Sequence, residues 1–416
     1  MAFSSVLRTV RWAVRGFLLV GLSVISAYSY SPIELNAKAV ALMKQGLCEE
    51  ALPQLLEASR ALPYEPVIRR NLAECYLMLG VRKLQSRDFE EAIDLFQEGK
   101  GYADKDARFW AFSGIAFMHK GDTGAAEVEF NEALALTDDA PDILYQLGEL
   151  YYSQGELHRA RQVLEEAFGA QPEDLRIVRL LEKVNRELPV EEQMSSTRGG
   201  NFVISCDEEL HPKLGSEILE ILEAAYNDLG SEFGFYPEIL IPVLVYPHQT
   251  YGDLTGAPGW SAGVYDGKIR IPAGGIDRGS ALLKSILYHE YSHVLVGYLA
   301  RGRIPFWLNE GLAEVAGRRF FSPPPTEDEK LIFLPWTDLE DSFEKLESGQ
   351  VRSAYYQSYL MVTYLIEHFG RYKLNELVVA AGRETDFSKA VADVYADFKV
   401  DYKTLQDEWS AHFQGR

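Results

Sequence analysis

Cysteine is scarce: three in 416 residues, at positions 48, 75 and 206. That number and spacing exclude a disulfide framework, a zinc knuckle and a redox pair. Cys48, Cys75 and Cys206 read as small core residues, although an oxidising compartment would let Cys48 and Cys75 pair. Positive charge is also short, since 41 Lys and Arg stand against 62 Asp and Glu, a formal net charge of -21, and no basic block occurs after residue 15. Polyanions are bound by clustered Lys and Arg, so no nucleic-acid partner is expected. The apolar run GFLLVGLSVISAY, residues 16–28, is too short to span a bilayer comfortably. Arg8, Arg11 and Arg15 precede it, and the small Ala27 near its end and Ser29 just after it stand at the positions a signal peptidase reads. Residues 1–29 are therefore expected to be a signal peptide, with an uncleaved signal anchor as the main rival and a buried helix as the third reading. The first two export the chain, to the periplasm or to a membrane-anchored form facing the extracytoplasmic side, with possible membrane attachment through this segment.

What is present is ample for packed cores: 47% apolar and 12% aromatic residues over a length suited to two or three domains. From about residue 34 to 188 the sequence repeats with a period of 34. Gly114 and Gly148, Ala126 and Ala160, Phe130 and Leu164, and Ala133 and Ala167 are all separated by it. Small residues at such positions let the two helices of a hairpin approach closely, and each hairpin buries its apolar face against its neighbour. The period and the packing positions, Trp110, Gly114, Phe117, Ala126, Phe130 and Ala133 in one copy, resemble tetratricopeptide repeats. About four copies are expected, the second with a lengthened first helix because Ala51 lies 41 residues before Ala92, followed by a closing helix over PEDLRIVRLLEKVNREL. The resemblance implies a groove that binds a protein partner or substrate; a spacer that only packs on the next domain is the alternative.

Ser, Thr and Gly then replace the helical pattern in PVEEQMSSTRGGN, and residues 189–201 are read as a linker. Beyond it come strand candidates NFVISCD and ILIPVLVYP, with a helix between them, and then SAGVY and KIRIP around an Asp-Gly turn at Asp266 and Gly267. The helical period returns and continues almost to the end. Residues 202–416 are thus expected to form an α+β domain.

Within it, LYHEYSHVLVGYLARGRIPFWLNEGLAE, residues 287–314, carries the chemistry. Ser280 can cap a helix on which His289 and His293 sit one turn apart on one face. Two imidazoles at that spacing can share one Zn(II) ion, and Glu290, about a quarter of a turn round, lies beside the metal where a base for water belongs. A hydrolytic site needs one more protein donor, and WLNEGLAE offers Glu310 on a second helix with Glu314 one turn further on.

This pairing of motifs resembles the gluzincin metallopeptidases, the peptidase MA-like group with a thermolysin-like fold. The resemblance implies that His289, His293 and Glu310 bind zinc, that Glu290 is the catalytic base, and that Glu314 orients a ligand histidine, His289 being the nearer choice. It also implies an edge strand that pairs with an extended substrate, for which GVYDGKIRIP is the candidate, and a tyrosine that helps hold the oxyanion. In SAYYQSYLMVTYLIEHFG, Tyr355 stands ahead of the Ser358–Tyr359 pair as the family pattern asks, on a helix that also carries Tyr356 and Tyr364. Two departures bear on activity. The Gly-x-Met-Glu-Asn element of the zinc aminopeptidases is missing, and the gap from His293 to Glu310 is shorter than theirs. Both favour an endopeptidase, a hydrolase of peptide or protein substrates. The alternative is a non-catalytic tetratricopeptide scaffold whose zinc domain is structural or degenerate.

Overall fold

The computed structural model of the chain describes residues 30–137, 140–207, 214–246, 264–265, 267–272, 279–322, 332–384 and 386–414. The expected signal or anchor, residues 1–29, lies outside the described residues, among which no helix is long and apolar enough to cross a membrane. The chain divides into two compact units, the first ending at Ile68 and the second starting at Arg69.

In the first unit, α1 (Pro32–Lys44) pairs with α2 (Cys48–Ala61). Ser31 starts α1 with a capping box: its Oγ accepts from the Glu34 amide at 3.3 Å while the Glu34 carboxylate accepts from the Ser31 amide at 2.8 Å. Leu35, Ala58 and Ile68 form its small buried cluster.

The second unit takes in most of α3 (Pro66–Gln85), then α4 (Phe89–Lys100), α5 (Ala107–Lys120), α6 (Thr123–Ala135), α7 (Pro141–Ser153), α8 (Leu157–Ala170) and α9 (Leu175–Glu191). Helix α3 has 20 residues against 14 in α5 and 13 in α7, so the longer spacing of the second copy is absorbed there. The repeat is built on one recurrent contact. Gly80, Gly114 and Gly148 receive Phe96, Phe130 and Leu164, and a Cβ would overlap the ring at Gly80, meet the Phe130 ring at 2.6 Å and the Leu164 side chain at 2.7 Å. A polar contact recurs two repeats apart: Asp106 caps α5 and Arg108 reaches Glu74 at 2.9 Å, while Asp174 caps α9 and Arg176 reaches Asp142 at 2.7 Å.

Residues 189–201, expected as a linker, instead hold the last turn of α9 and strand β1 (Met194–Gly199). A turn through Gly200, at φ 49°, folds β1 antiparallel onto β2 (Phe202–Asp207), from Met194 opposite Asp207 to Gly199 opposite Phe202. Ser and Thr suit this strand because, among the described residues, it is paired on one side only and its central side chains are exposed. After α10 (Leu214–Phe233) come β3 (Ile241–Tyr246), β4 (Val264–Tyr265) and β5 (Ile269–Pro272), giving the sheet order β1-β2-β3-β5-β4. Strands β2, β3 and β5 run parallel, and β4 lies antiparallel to β5 at the edge. Gly267 takes the left-handed φ of 97° that the expected turn needs, while Asp266 lies outside the described residues.

All six residues of β3 are buried because both faces of the sheet are covered. Phe202, Ile204, Val243, Val245, Ile269 and Ile271 face the main core with α10, α11 (Ala281–Ala300) and α12 (Phe306–Gly317). On the other side, Leu244 and Tyr246 pack with Val190 and Met194, from α9 and β1. Helices α13 (Trp336–Glu340), α14 (Ser348–Arg383), α15 (Phe387–Val394) and α16 (Tyr402–Gln414) complete the unit, α14 bending at Gly370, φ 85°. An array of helical hairpins followed by an α+β domain is thus the observed architecture, as expected, while Cys48, Cys75 and Cys206 are in no disulfide.

Candidate metal centre

Helix α11 begins where Ser280 Oγ accepts from the Leu283 amide at 3.1 Å. Its apolar positions Leu283, Leu287, Val294 and Leu295 are buried, which fixes its rotation and directs His289 and His293 together toward α12. The helix stops at Arg301 and Gly302, both left-handed at φ 53° and 69°, and the chain turns through Pro305 into α12. Two glycines let α12 come close enough to complete the site. A Cβ on Gly311 would overlap the Ser358 carbonyl of α14, and one on Gly317 would meet the Ser285 carbonyl of α11 at 2.8 Å.

Three donor atoms converge as a result. His289 Nε2 and His293 Nε2 are 3.2 Å apart, and Glu310 Oε2 lies 3.5 Å from the first and 3.6 Å from the second. Tetrahedral ligands about 2.0–2.1 Å from one ion stand about 3.3–3.4 Å apart, so this triangle has the dimensions of three corners of a zinc tetrahedron. A second observation agrees: among the described residues, Glu310 Oε2 and Glu290 Oε2 are buried oxygens with no hydrogen-bond partner, which is costly unless a cation or bound water meets them. Among the described residues, His289, His293 and Glu310 are the group of three able to hold a metal ion.

The remaining ring nitrogens are held from behind. His293 Nδ1 lies 3.2 Å from Asn309 Oδ1, so its N–H donates there and Nε2 keeps its lone pair. His289 Nδ1 lies 3.5 Å from Glu314 Oε1. Glu314 in turn accepts from Arg318 Nε at 2.6 Å, and the Arg318 guanidinium stands 5.4 Å and 4.9 Å from the ring centroids of Tyr356 and Tyr359. The structure places His289, Glu290, His293, Glu310 and Glu314 together. Asn309 and Arg318 escaped the sequence reading; Asn309 directly precedes the glutamate, and Arg318 stands at i+4 from Glu314.

Burial pushes the Glu290 carboxyl above its ordinary range, only partly offset by the two imidazoles. Burial alone would lower His289, but Glu310 and Glu314 outweigh it and hold its pKa well above the usual histidine value. Burial would also raise Glu314, but His289 and Arg318 bring it below the ordinary carboxylate range. Tyr355 is beside this group, its ring 6.4 Å from the His289 ring and edge-on to Phe343 at 5.3 Å. Edge strand β4 runs next to α11. Of the other histidines, His119 stacks on Phe89 and His368 on Tyr364, while His211 and His248 lie outside the described residues.

Two kinds of family profile match the chain. Tetratricopeptide repeat profiles match residues 36–98, 77–142 and 117–184, and the Peptidase MA superfamily profile matches residues 238–415. The chain therefore carries tetratricopeptide repeats followed by a Peptidase MA superfamily domain. No curated protein matches it. Among solved structures, the first tetratricopeptide domain of human RPAP3 is 19% identical, covering 29% of this chain and 94% of that one at a TM-score of 0.28. A thermophilic tetratricopeptide protein of Thermus thermophilus is 25% identical over 37% of this chain and 81% of that one, at a TM-score of 0.27. MamA is 19% identical over 37% and 86%, at 0.31.

Proposed function

We propose that this chain of tetratricopeptide repeats and a Peptidase MA domain is a zinc-dependent endopeptidase, with His289 Nε2, His293 Nε2 and Glu310 Oε2 as the metal donors. The triangle of those three atoms, with the unpartnered Oε2 of Glu290 buried beside it, carries the reading. When bound, zinc would supply a Lewis acid that lowers the pKa of water and polarises a carbonyl.

The protein's own residues have separate tasks. Glu290 takes the proton of the attacking water and gives it to the leaving amine. Burial raises its pKa above the ordinary carboxylate range, which favours both taking the proton and holding it for the leaving amine. Asn309 and Glu314 hold the two imidazoles with Nε2 directed inward, which fixes the tautomer needed for ligation. Tyr355, beside His289, is the donor to the carbonyl oxygen as charge builds on it. Among the described residues, strand β4 has one unpaired edge, onto which an extended peptide backbone can add. The missing Gly-x-Met-Glu-Asn element supports internal cleavage over removal of an amino-terminal residue. The repeats bind a protein partner or the substrate itself, and the Arg-flanked apolar segment before residue 30 supports an exported protein.

Glu290→Gln tests the reading. Hydrolysis of unfolded protein substrates should fall by at least about a thousand-fold while zinc content stays equal to wild type. Hydrolysis surviving in this variant would remove Glu290 from the role of base, and a wild type that holds zinc and cleaves none of a broad peptide library would favour the scaffold.

A further inference from the structure

The sheet face opposite the metal centre buries charge. Lys268, just ahead of β5, and Arg270 within it are almost fully inaccessible. The partners seen for Lys268 come from the repeat array, and those of Arg270 from the array and from Tyr246 of β3. Arg270 donates to Tyr152 of α7 at 2.6 Å and to Glu187 of α9 at 2.9 Å, and the Tyr152 hydroxyl lies 2.9 Å from both Glu187 oxygens. Lys268 stands 3.8 Å from Glu187 and 3.4 Å from Glu191, and its ammonium sits over the Tyr152 ring at 4.5 Å. Tyr246 of β3 donates to Glu191 at 3.3 Å. Two cations meet two carboxylates, so the cluster is neutral as a whole, while either half alone would strand buried charge.

Its place in the sheet gives it a consequence. Arg270 pairs in register with Val264 of β4, the two-residue edge strand whose sheet neighbour among the described residues is β5. So short a strand has little stability of its own and takes its position from β5. The main core holds β5 through Ile269 and Ile271 on one face. Repeat-array groups hold it through Lys268 and Arg270 on the other.

We propose that α7 and α9 form a latch on the β5–β4 strand pair, with Tyr152 and Glu187 as positioning residues that keep the edge strand where an extended peptide is received. The identity of the strand's ligand rests on the endopeptidase reading; the latch itself does not. The last repeat is then a working part of the hydrolytic domain, and a partner that distorts α7 or α9 acts on substrate binding more than on the metal.

The test uses the full chain with Tyr152→Phe, which deletes only the bridging hydroxyl, and Glu187→Gln, which removes one charge. Hydrogen exchange over residues 264–272, zinc content, and kcat and KM on an extended peptide are measured together. Exchange should quicken about ten-fold in β4 and β5 with little change in α11 and α12, the net cost of the lost charge-assisted hydrogen bonding felt locally. KM should rise by a similar factor, with kcat and zinc unchanged. Unaltered exchange and KM in folded variants would overturn the proposal, as would zinc loss with kcat and KM affected alike. If Glu187→Gln fails to fold, Tyr152→Phe decides. If the wild type cleaves no peptide but exchange quickens only in β4 and β5, the latch stands and the endopeptidase reading falls.

Discussion

Replacing Gly311 by alanine sets two effects of known size against each other. In an unobstructed helix interior, Gly→Ala stabilises by about 0.8–1 kcal/mol. At position 311 the new methyl would overlap the Ser358 carbonyl and sit 2.5 Å from Val362 Cγ2. A backbone carbonyl cannot rotate aside, so α12 must move away from α14, and overpacking of this kind costs about 1–3 kcal/mol. The overlap should win, leaving Gly311→Ala destabilised by about 1 kcal/mol or slightly more after the propensity gain. Because Glu310 precedes the glycine, the same movement lengthens its separation from the two imidazoles, so zinc affinity should fall as well. Gly169 in α8 has nothing within 4 Å of its Cβ position, so Gly169→Ala should follow propensity and stabilise. Urea unfolding with a zinc competition titration on both variants gives the answer. A Gly311→Ala protein more stable than wild type, with unchanged zinc affinity, would refute the reasoning that close approach of α12 builds the metal site.

Arg318→Met should weaken zinc binding about ten-fold by releasing Glu314 from its partner, with Arg318→Lys falling between it and wild type in a competition titration. Chelation should lower the midpoint of thermal unfolding, since an ion bound at a thousand times its dissociation constant contributes about 4 kcal/mol, and zinc should restore it. Asp174, capping α9, has its pKa lowered to about 2, first by Arg176 and then by the backbone amides it accepts from. A carboxylate depressed in the folded state contributes stability above its unfolded pKa near 3.9 and loses it as pH falls toward about 2. Thermal unfolding between pH 5 and about pH 2 should therefore show a shallower acid-side loss for Asp174→Asn than for wild type.

The repeats were legible because their packing is periodic: Gly80, Gly114 and Gly148 face Phe96, Phe130 and Leu164 at the same offset, and a period survives in a one-dimensional string. The candidate site was legible for a related reason: helix geometry puts His289 and His293 on one face, and Glu310 and Glu314 on one face of the next helix, while the resemblance to the gluzincins implied that the two faces meet. What failed to show was set by distant contacts. Lys268 and Arg270 are charged residues in and beside a short strand, and local pattern assigns such residues to solvent. Groups far upstream help make their burial tolerable, Tyr152 and Glu187 standing 118 and 83 residues before Arg270. Strand β1 was concealed by its composition, because Ser, Thr and Gly mark a linker unless a partner strand is known. Asn309 was in plain view beside Glu310, but its role depends on where His293 Nδ1 lies, which spacing along the chain does not give.

The central claim is that His289, His293 and Glu310 form a zinc site, and elemental analysis of the purified protein beside a His289→Ala variant tests it most directly. About one zinc per chain in the wild type and almost none in the variant, with both proteins folded, is the predicted result. A wild type that neither contains zinc nor takes it up on addition would contradict the account and leave α11 and α12 as scaffolding.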